Sequence, residues 1–554
     1  MLFERFPCVS LTNILARAMA NVTVTEGASH AVSDETRARA DELKAEGNAA
    51  LSHFKFAAAV EFYTQAIALV PTAIFYANRA AAHMKSESYG LAIDDASAAI
   101  DLEPSYVKAY YRRGSAQLAL GHHKKAVKDF KLVVRMKPQD RDARAKLKLC
   151  EKIIKEAAFA AAIQSERNLP LSETIDINSI LVDPSYDGPS LPEDPLKAKP
   201  DFVVALMDRF KRGKLLHRKY VIQILLKMRE MLAALPSLLR ISLPAEDPDA
   251  HFTVCGDTHG QFYDVCNIFS LNGLPSESNP YLFNGDFVDR GSFSFEVVMT
   301  LFAMKLVYPQ HVHLLRGNHE SKNMNKIYGF EGEVKHKYDD TVMQLFTEVF
   351  NWLPLAAVIE DRVVVVHGGL FTEENVTLAD IEKIDRNREP PENGLMSDLM
   401  WSDPQPFQGR GPSKRGIGLS FGPDVTKAFL EHNNLDLLVR SHEVKDEGYL
   451  VEHDGKCITV FSAPNYCDQM GNKGAFIRFE KDMQPRFTQF VAVVRATSVA
   501  SCRALAESRN IRFDNDLFSS NGLILPCLCV DCQRQEHPPI RPMAYAGNMG
   551  GMFG

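Results

Sequence analysis

Apolar and small residues in the first third of the chain fall three and four positions apart, the spacing that lays one face of an α-helix against a core. Between residues 38 and 140 the pattern is broken by Pro71, Pro104 and Pro138, 33 and 34 residues apart, and each interval holds two helical stretches. Small residues recur in matching places: Gly47, Ala59 and Ala66, then Ala80, Ala92 and Ala99, then Gly114 and Ala126. Such side chains let paired helices approach closely, so the pattern predicts stacked helical hairpins rather than unrelated amphipathic helices. A further helical stretch, residues 141–166, would cap the stack.

Residues 168–200 are rich in proline, serine and aspartate and predict a linker with little regular structure, a hinge between two domains. From Asp201 two helical stretches run to about Arg240. Short apolar runs follow: HFTVCGD, YLFNGD, VHLLRGN, RVVVVHGG, LDLLVRSHE and CITVFSAPNY. Each has the length of a strand and ends in polar or glycine residues, and helical segments alternate with them. In α/β folds ligand chemistry gathers at the carboxyl ends of strands, so these endings should converge. The division expected is a flexible leader (1–37), a helical module resembling three tetratricopeptide repeats plus a capping helix (38–167), the linker (168–200), an α/β domain (201–493), a disordered insertion (494–536) and a tail (537–554).

Composition narrows the partners more than the fold. The 554 residues exceed one core, and 45% hydrophobic with 24% charged residues is ordinary for a globular protein. A net charge of -7 offers no basic surplus for nucleic acid or an anionic membrane. No apolar run is long enough to span a bilayer. Ten scattered cysteines read as reduced thiols, which predicts a cytoplasmic and nuclear protein. Residues 1–18, with two arginines and one acid, have a weak targeting character, and Met19 offers a second start.

Three strand endings read Gly256-Asp257-Thr258-His259-Gly260, Gly285-Asp286-Phe287-Val288-Asp289-Arg290-Gly291 and Arg316-Gly317-Asn318-His319-Glu320, and two more place His367 and His442 after strands. Carboxylate, amide and imidazole ligands without thiolates suit manganese, iron or zinc. A lone histidine at a strand end is more often structural than a ligand. Five such endings in order, most beside glycines, are hard to explain as packing.

The segments GDTHGQ, GDFVDRG, LRGNHE, HGG, RSHE and SAPNYCD resemble the signatures of the phosphoprotein phosphatase family over residues 200–490. The resemblance implies an α/β metallophosphoesterase domain, a central β-sandwich flanked by helices, behind an all-α repeat solenoid. It also implies hydrolysis of phosphoserine and phosphothreonine monoesters by a hydroxide activated between two metal ions, manganese or an iron–zinc pair. On matching positions Asp257, His259 and Asp286 would hold the first metal, and Asp286, Asn318, His367 and His442 the second. His319 would be the general acid, oriented by Asp289. Arg290 and Arg415 would bind the phosphate, with Asn318 and Tyr466 completing the pocket.

Within that family, repeats of this kind bind the acidic C-terminal tail of the ninety-kilodalton heat-shock chaperone through a carboxylate clamp. Lys44, Asn48, Asn78, Lys108 and Arg112 match it, the pairs four residues apart sharing a helix face. Lys85 would add a contact. The resemblance further implies autoinhibition, with Glu87 occupying the phosphate-binding arginines until the chaperone tail or a fatty acid displaces the repeats.

Between FTQFVAV and the tail HPPIRPMAYAGNMGGMFG the chain inserts residues without the family's pattern. Cys527, Cys529, Cys532 and His537 offer a zinc reading, but their spacing departs from usual zinc ligation. Two rivals to the phosphatase reading remain at this stage. One is a phosphodiesterase or nucleotide hydrolase on the same metals, and the other is a chaperone-bound scaffold with a dead site.

Overall fold

The computed structural model describes residues 33–163, 169–243, 247 and 250–493. The zinc reading on Cys527, Cys529, Cys532 and His537, residues 1–32 of the leader, the insertion and the tail lie outside these residues, while residues 34–37, read as leader, already belong to the first helix. Six helices form three antiparallel hairpins: α1 (Asp34–Ser52) with α2 (Phe56–Leu69), α3 (Ala73–Lys85) with α4 (Tyr89–Leu102), and α5 (Val107–Ala119) with α6 (His123–Met136). The last is capped by α7 (Arg141–Ile163). Ser33 starts α1 by accepting the Thr36 N–H, and Asp34 and Glu35 favour its positive end. Pro71, Pro104 and Pro138 each stand two residues beyond the last turn of α2, α4 and α6.

The small residues serve close packing. A Cβ on Gly47 would sit 2.6 Å from the Tyr63 ring, and Ala59, Ala66, Ala80, Ala92, Ala99 and Ala126 are fully buried. Successive repeats also share a bidentate fork: Arg79 Nη2 donates to Asp95 Oδ1 at 2.7 Å, and Arg113 Nη2 to Asp129 Oδ1 at 2.9 Å.

The second domain is the expected sandwich. One sheet has the order β1 (Leu238–Ile241), β5 (Ala356–Ile359), β6 (Val363–Val366), β10 (Leu437–Arg440), β12 (Cys457–Val460), β11 (Tyr449–Glu452). The other has the order β14 (Pro485–Phe490), β13 (Gly474–Phe479), β2 (Phe252–Cys255), β3 (Tyr281–Phe283), β4 (Val312–Leu314), and a small third sheet has the order β7 (Asp403–Pro404), β9 (Leu419–Phe421), β8 (Arg410–Pro412). Phe252, Val254, Leu282 and Ile477 of one sheet meet Val363, Val365, Val439 and Ile458 of the other in a dry middle layer. All six quoted apolar runs are strands. The helical reading to Arg240 stops short, because Leu238–Ile241 is β1, paired parallel with β5.

The outer faces of both sheets carry helices. Residues of the proline-rich stretch, Leu171, Ile175, Ile177, Ile180 and Leu191, lie against the helical layer of the five-stranded sheet. On the other side the repeats join the second domain's core: Ala80, Tyr89, Ala92, Ala116 and Leu120 form one apolar cluster with Tyr328, Val364, Trp401 and Leu419.

Candidate metal and phosphate site

The loops after β2, β3, β4, β6 and β10 bring Asp257, His259, Asp286, Asn318, His367 and His442 together, all buried. His259 Nε2 lies 3.7 Å from Asp257 Oδ2 and 3.6 Å from Asp286 Oδ2. His367 Nε2 lies 3.3 Å from Asp286 Oδ2, so Asp286 stands between both groups. The outer nitrogens are held by backbone: His259 Nδ1 is 3.0 Å from the Val288 carbonyl and His367 Nδ1 is 2.7 Å from that of Asn284. That contact selects the tautomer that leaves Nε2 free to ligate.

This donor set fits cations. Asn318 Oδ1 lies 3.0 Å from His367 Nε2, and the same end of that amide is 3.0 Å from His442 Nδ1 and from Asp286 Oδ2. With oxygen in that place, acceptor lone pairs converge on one another, which is unfavourable unless a cation lies among them. Burial also pushes the Asp257 carboxyl up, to about 8, with the neighbouring charge of Asp286 next in importance. Asp286 is raised as well, again by burial first. Burial holds His259, His367 and His442 below the usual imidazole range, in the neutral form a metal requires.

The loops are strained where they carry these groups. His259, Asp286, Asp289, Arg290 and His442 have φ of 40°, 51°, 68°, 68° and 69°, in the left-handed region, at a cost of about 1–3 kcal/mol each. Glu320 compensates by accepting the N–H groups of Asp286, Phe287 and Gly317, each at 2.8 Å. Arg316, fully buried, donates to the carbonyls of Glu320 and Arg388 at 3.0 and 2.9 Å and so fixes the Asn318–His319 turn. Gly317 is required there: a Cβ would sit 2.2 Å from Asp286 Oδ1.

His319 stands beside the first group, its Nδ1 2.8 Å from Asp289 Oδ2. Burial lifts Asp289 to about 7 and lowers His319, so the proton between them belongs to the pair. The Tyr466 ring tilts against that of His259, with centroids 5.1 Å apart. Arg290 and Arg415 meet on one carboxylate of the repeat module. Arg290 Nη2 donates to Glu87 Oε1 at 2.5 Å, and Arg415 Nη1 is 3.6 Å from Oε2. Arg415 is aimed by Asp403, whose Oδ2 accepts its Nε–H at 2.7 Å and whose Oδ1 accepts from Arg440 at 2.8 Å.

Comparison with known proteins agrees with this geometry. Residues 250–446 match the family described as calcineurin-like phosphoesterase, 147–240 the PPP5 TPR repeat region and 107–140 a tetratricopeptide repeat. The chain is 54% identical to serine/threonine-protein phosphatase 5 of Homo sapiens over 82% of its own length and 91% of that protein's. It belongs to the serine/threonine-protein phosphatase 5 family. The Arabidopsis thaliana phosphatase 5 is 49% identical over 93% of this chain and 98% of its own. A Saccharomyces cerevisiae serine/threonine phosphatase structure covers 54% of this chain and 98% of its own at 43% identity, with a TM-score of 0.52.

On the repeats' inner helices, three of the residues matched to the family's clamp are joined by hydrogen bonds. Asn48 Oδ1 accepts from Tyr63 Oη–H at 2.8 Å and from Asn78 at 3.3 Å, and Asn78 Oδ1 accepts from Arg112 at 3.4 Å. Lys108 shares α5 with Arg112, and Lys44 on α1 pairs with Asp41 at 2.5 Å. Lys85 ends α3, and burial first, with Arg290 nearby, holds its amine below the ordinary value. Sequence reasoning did not single out Glu320, Asp403, Tyr89 or Tyr328. Glu320 was visible as the acid closing LRGNHE; the other three act through contacts across domains or loops that leave no local pattern.

Proposed function

We propose that the chain hydrolyses phosphoserine and phosphothreonine monoesters on proteins and that its repeats hold it inactive until a partner engages them. The observation carrying this reading is the meeting of Arg290 and Arg415 on the Glu87 carboxylate at the lip of the ligand cluster. A carboxylate stands where two guanidinium groups would take a phosphate. Paired arginines favour a dianionic monoester over a diester.

Asp257, His259 and Asp286 would hold one metal, and Asp286, Asn318, His367 and His442 a second. Metal ions in such a site supply Lewis acidity and a water that is nucleophilic at neutral pH. Arg290 and Arg415 bind the phosphoryl oxygens, and Asn318 and Tyr466 bound the pocket. His319 delivers a proton from Nε2 to the departing serine or threonine oxygen, while Asp289 holds Nδ1 and fixes the ring.

Lys44, Asn48, Asn78, Lys108 and Arg112 bind the terminal carboxylate of the ninety-kilodalton chaperone's acidic tail, with Lys85 contributing when the module is free. A fatty acid is the second proposed activator, acting on the apolar contact between the domains. Cytoplasm and nucleus are the proposed locations, to be checked by fractionation.

The test compares metal content and phosphopeptide turnover of the wild type with those of His319→Asn, with and without an acidic C-terminal peptide. Expected are bound metal in both, turnover in the wild type alone and stimulation by the peptide. A wild type that cleaves a bis-ester in preference to the phosphopeptide refutes the substrate class.

A further inference from the structure

The helix Lys322–Tyr328 follows directly on the turn that carries Asn318 and His319. Its Asn325 is 1% exposed. Its amide Nδ2 donates twice: to Asp289 Oδ2 at 3.1 Å and to the His319 carbonyl at 2.7 Å. Asp289 Oδ2 is the same oxygen that lies 2.8 Å from His319 Nδ1, and Asp289 Oδ1 accepts the Phe330 N–H at 3.0 Å. Asn325 Oδ1 has no hydrogen-bond partner among the described residues. The side chain is therefore held by its donor end alone, with an acceptor left unsatisfied in the interior, an arrangement that needs a reason.

We propose that Asn325 is the positioning residue of the general acid, fixing the carboxylate and the backbone of the Asp289–His319 pair with one amide group so that Nε2 points at the leaving oxygen. This rests on the reading of His319 as the acid. Asp289 is fully buried and has few donors to hold its rotamer. Losing one frees the carboxylate to turn about its remaining contacts, and the imidazole turns with it. The hydrogen bonds of Asn325 go to the Asp289–His319 pair and not to the metal ligands or the arginines, so substrate binding should survive its loss.

The same helix is gripped from outside by the repeat module. Met324 and Tyr328 lie in the apolar cluster shared with Tyr89 and Leu120. Ile327 packs beside Leu118 and Phe130, and Lys326 pairs with Glu156 of α7 at 3.1 Å. The element that positions the acid is thus also one the repeats hold.

The test uses the leaving group. A serine alkoxide needs a proton as it departs, whereas nitrophenolate leaves without one, so p-nitrophenyl phosphate bypasses the acid. In the full chain with manganese and an activating acidic peptide, Asn325→Ala should lower kcat for a phosphoserine peptide by roughly 10–100-fold, the range found when an orienting partner is removed. KM should stay within about twofold, and kcat for p-nitrophenyl phosphate should stay close to wild type. Asn325→Ser, a smaller change that keeps a hydroxyl donor, is run alongside in case the alanine variant fails to fold, and should be intermediate. Equal loss on both substrates in a variant with an unchanged melting temperature overturns the proposal, as does no loss on either. His319→Asn is the control for the underlying reading. If it fails to discriminate between the substrates, the acid assignment falls; if it discriminates and the Asn325 variants do not, only the role of Asn325 falls.

Discussion

Replacing Glu87 by glutamine removes one charge from the interface between the repeats and the catalytic domain and changes little else. Burial by itself would raise this carboxyl, but Arg290 and then Arg415 outweigh it and hold it below its ordinary value of 4.5. A unit charge pair about 4 Å apart in surroundings of effective dielectric about 20 gains about 4 kcal/mol. Restoring both groups to water when the module opens takes back a large part. The net contribution of a charged hydrogen bond, about 1.5–3 kcal/mol, corresponds to roughly 10–150-fold in the closure equilibrium. Phosphopeptide turnover of full-length Glu87→Gln should rise by up to that factor, limited by the fully open activity, while stimulation by the acidic peptide shrinks correspondingly. The lowered carboxyl sets the sign with pH: its contribution to closure is complete above the ordinary value and is lost as pH falls through the depressed one. Small-angle scattering should therefore report acid-induced opening only below about 4.5, and that acid step should be missing in Glu87→Gln. Basal turnover equal to wild type in the variant refutes the reasoning.

Other parts of the site give separate tests. Asp286→Asn, altering the residue between both ligand groups, should lose bound metal on elemental analysis and lower kcat by at least ~10²-fold, in line with metal-assisted hydrolysis. Chelation of the wild type should abolish turnover and added manganese restore it. Lys108→Ala and Arg112→Ala should each weaken an acidic C-terminal peptide by about 2–4 kcal/mol in calorimetry, the cost of removing an anchoring group, without changing p-nitrophenyl phosphate turnover in the activated state. Asp403→Ala leaves Arg415 and Arg440 buried without their shared partner, which should cost about 3–5 kcal/mol in urea unfolding. It should also raise KM through a wandering Arg415.

Much of this was legible because strand ends announce themselves: an apolar run that stops at Gly-Asp or Asn-His can only turn there, and five such stops carried the ligand set. The 33- and 34-residue recurrence of proline made the hairpins equally plain. β1 was missed because Leu238–Ile241 is a run of only four residues that follows the helix ending at Ala233 after a short gap holding Pro236. Glu320, Asn325 and Asp403 were missed as positioning groups because their value lies in which backbone N–H, carboxylate or guanidinium the fold brings to them. The five positive-φ residues are the physical reason such partners are needed, and nothing in a linear sequence of aspartates and histidines displays a dihedral angle.

The apolar cluster joining Tyr89, Ala92, Ala116 and Leu120 to the catalytic domain has a thermal consequence. Opening the module wets that surface, so the open state has the higher heat capacity. Under the proposed restraint, closure of the module then behaves like a small folding reaction, with a temperature at which it is tightest and a leak that grows on either side. On cooling, the apolar part of the closure weakens while the Glu87 contact remains. In the cold the proposed restraint would rest more on one carboxylate than on the apolar core.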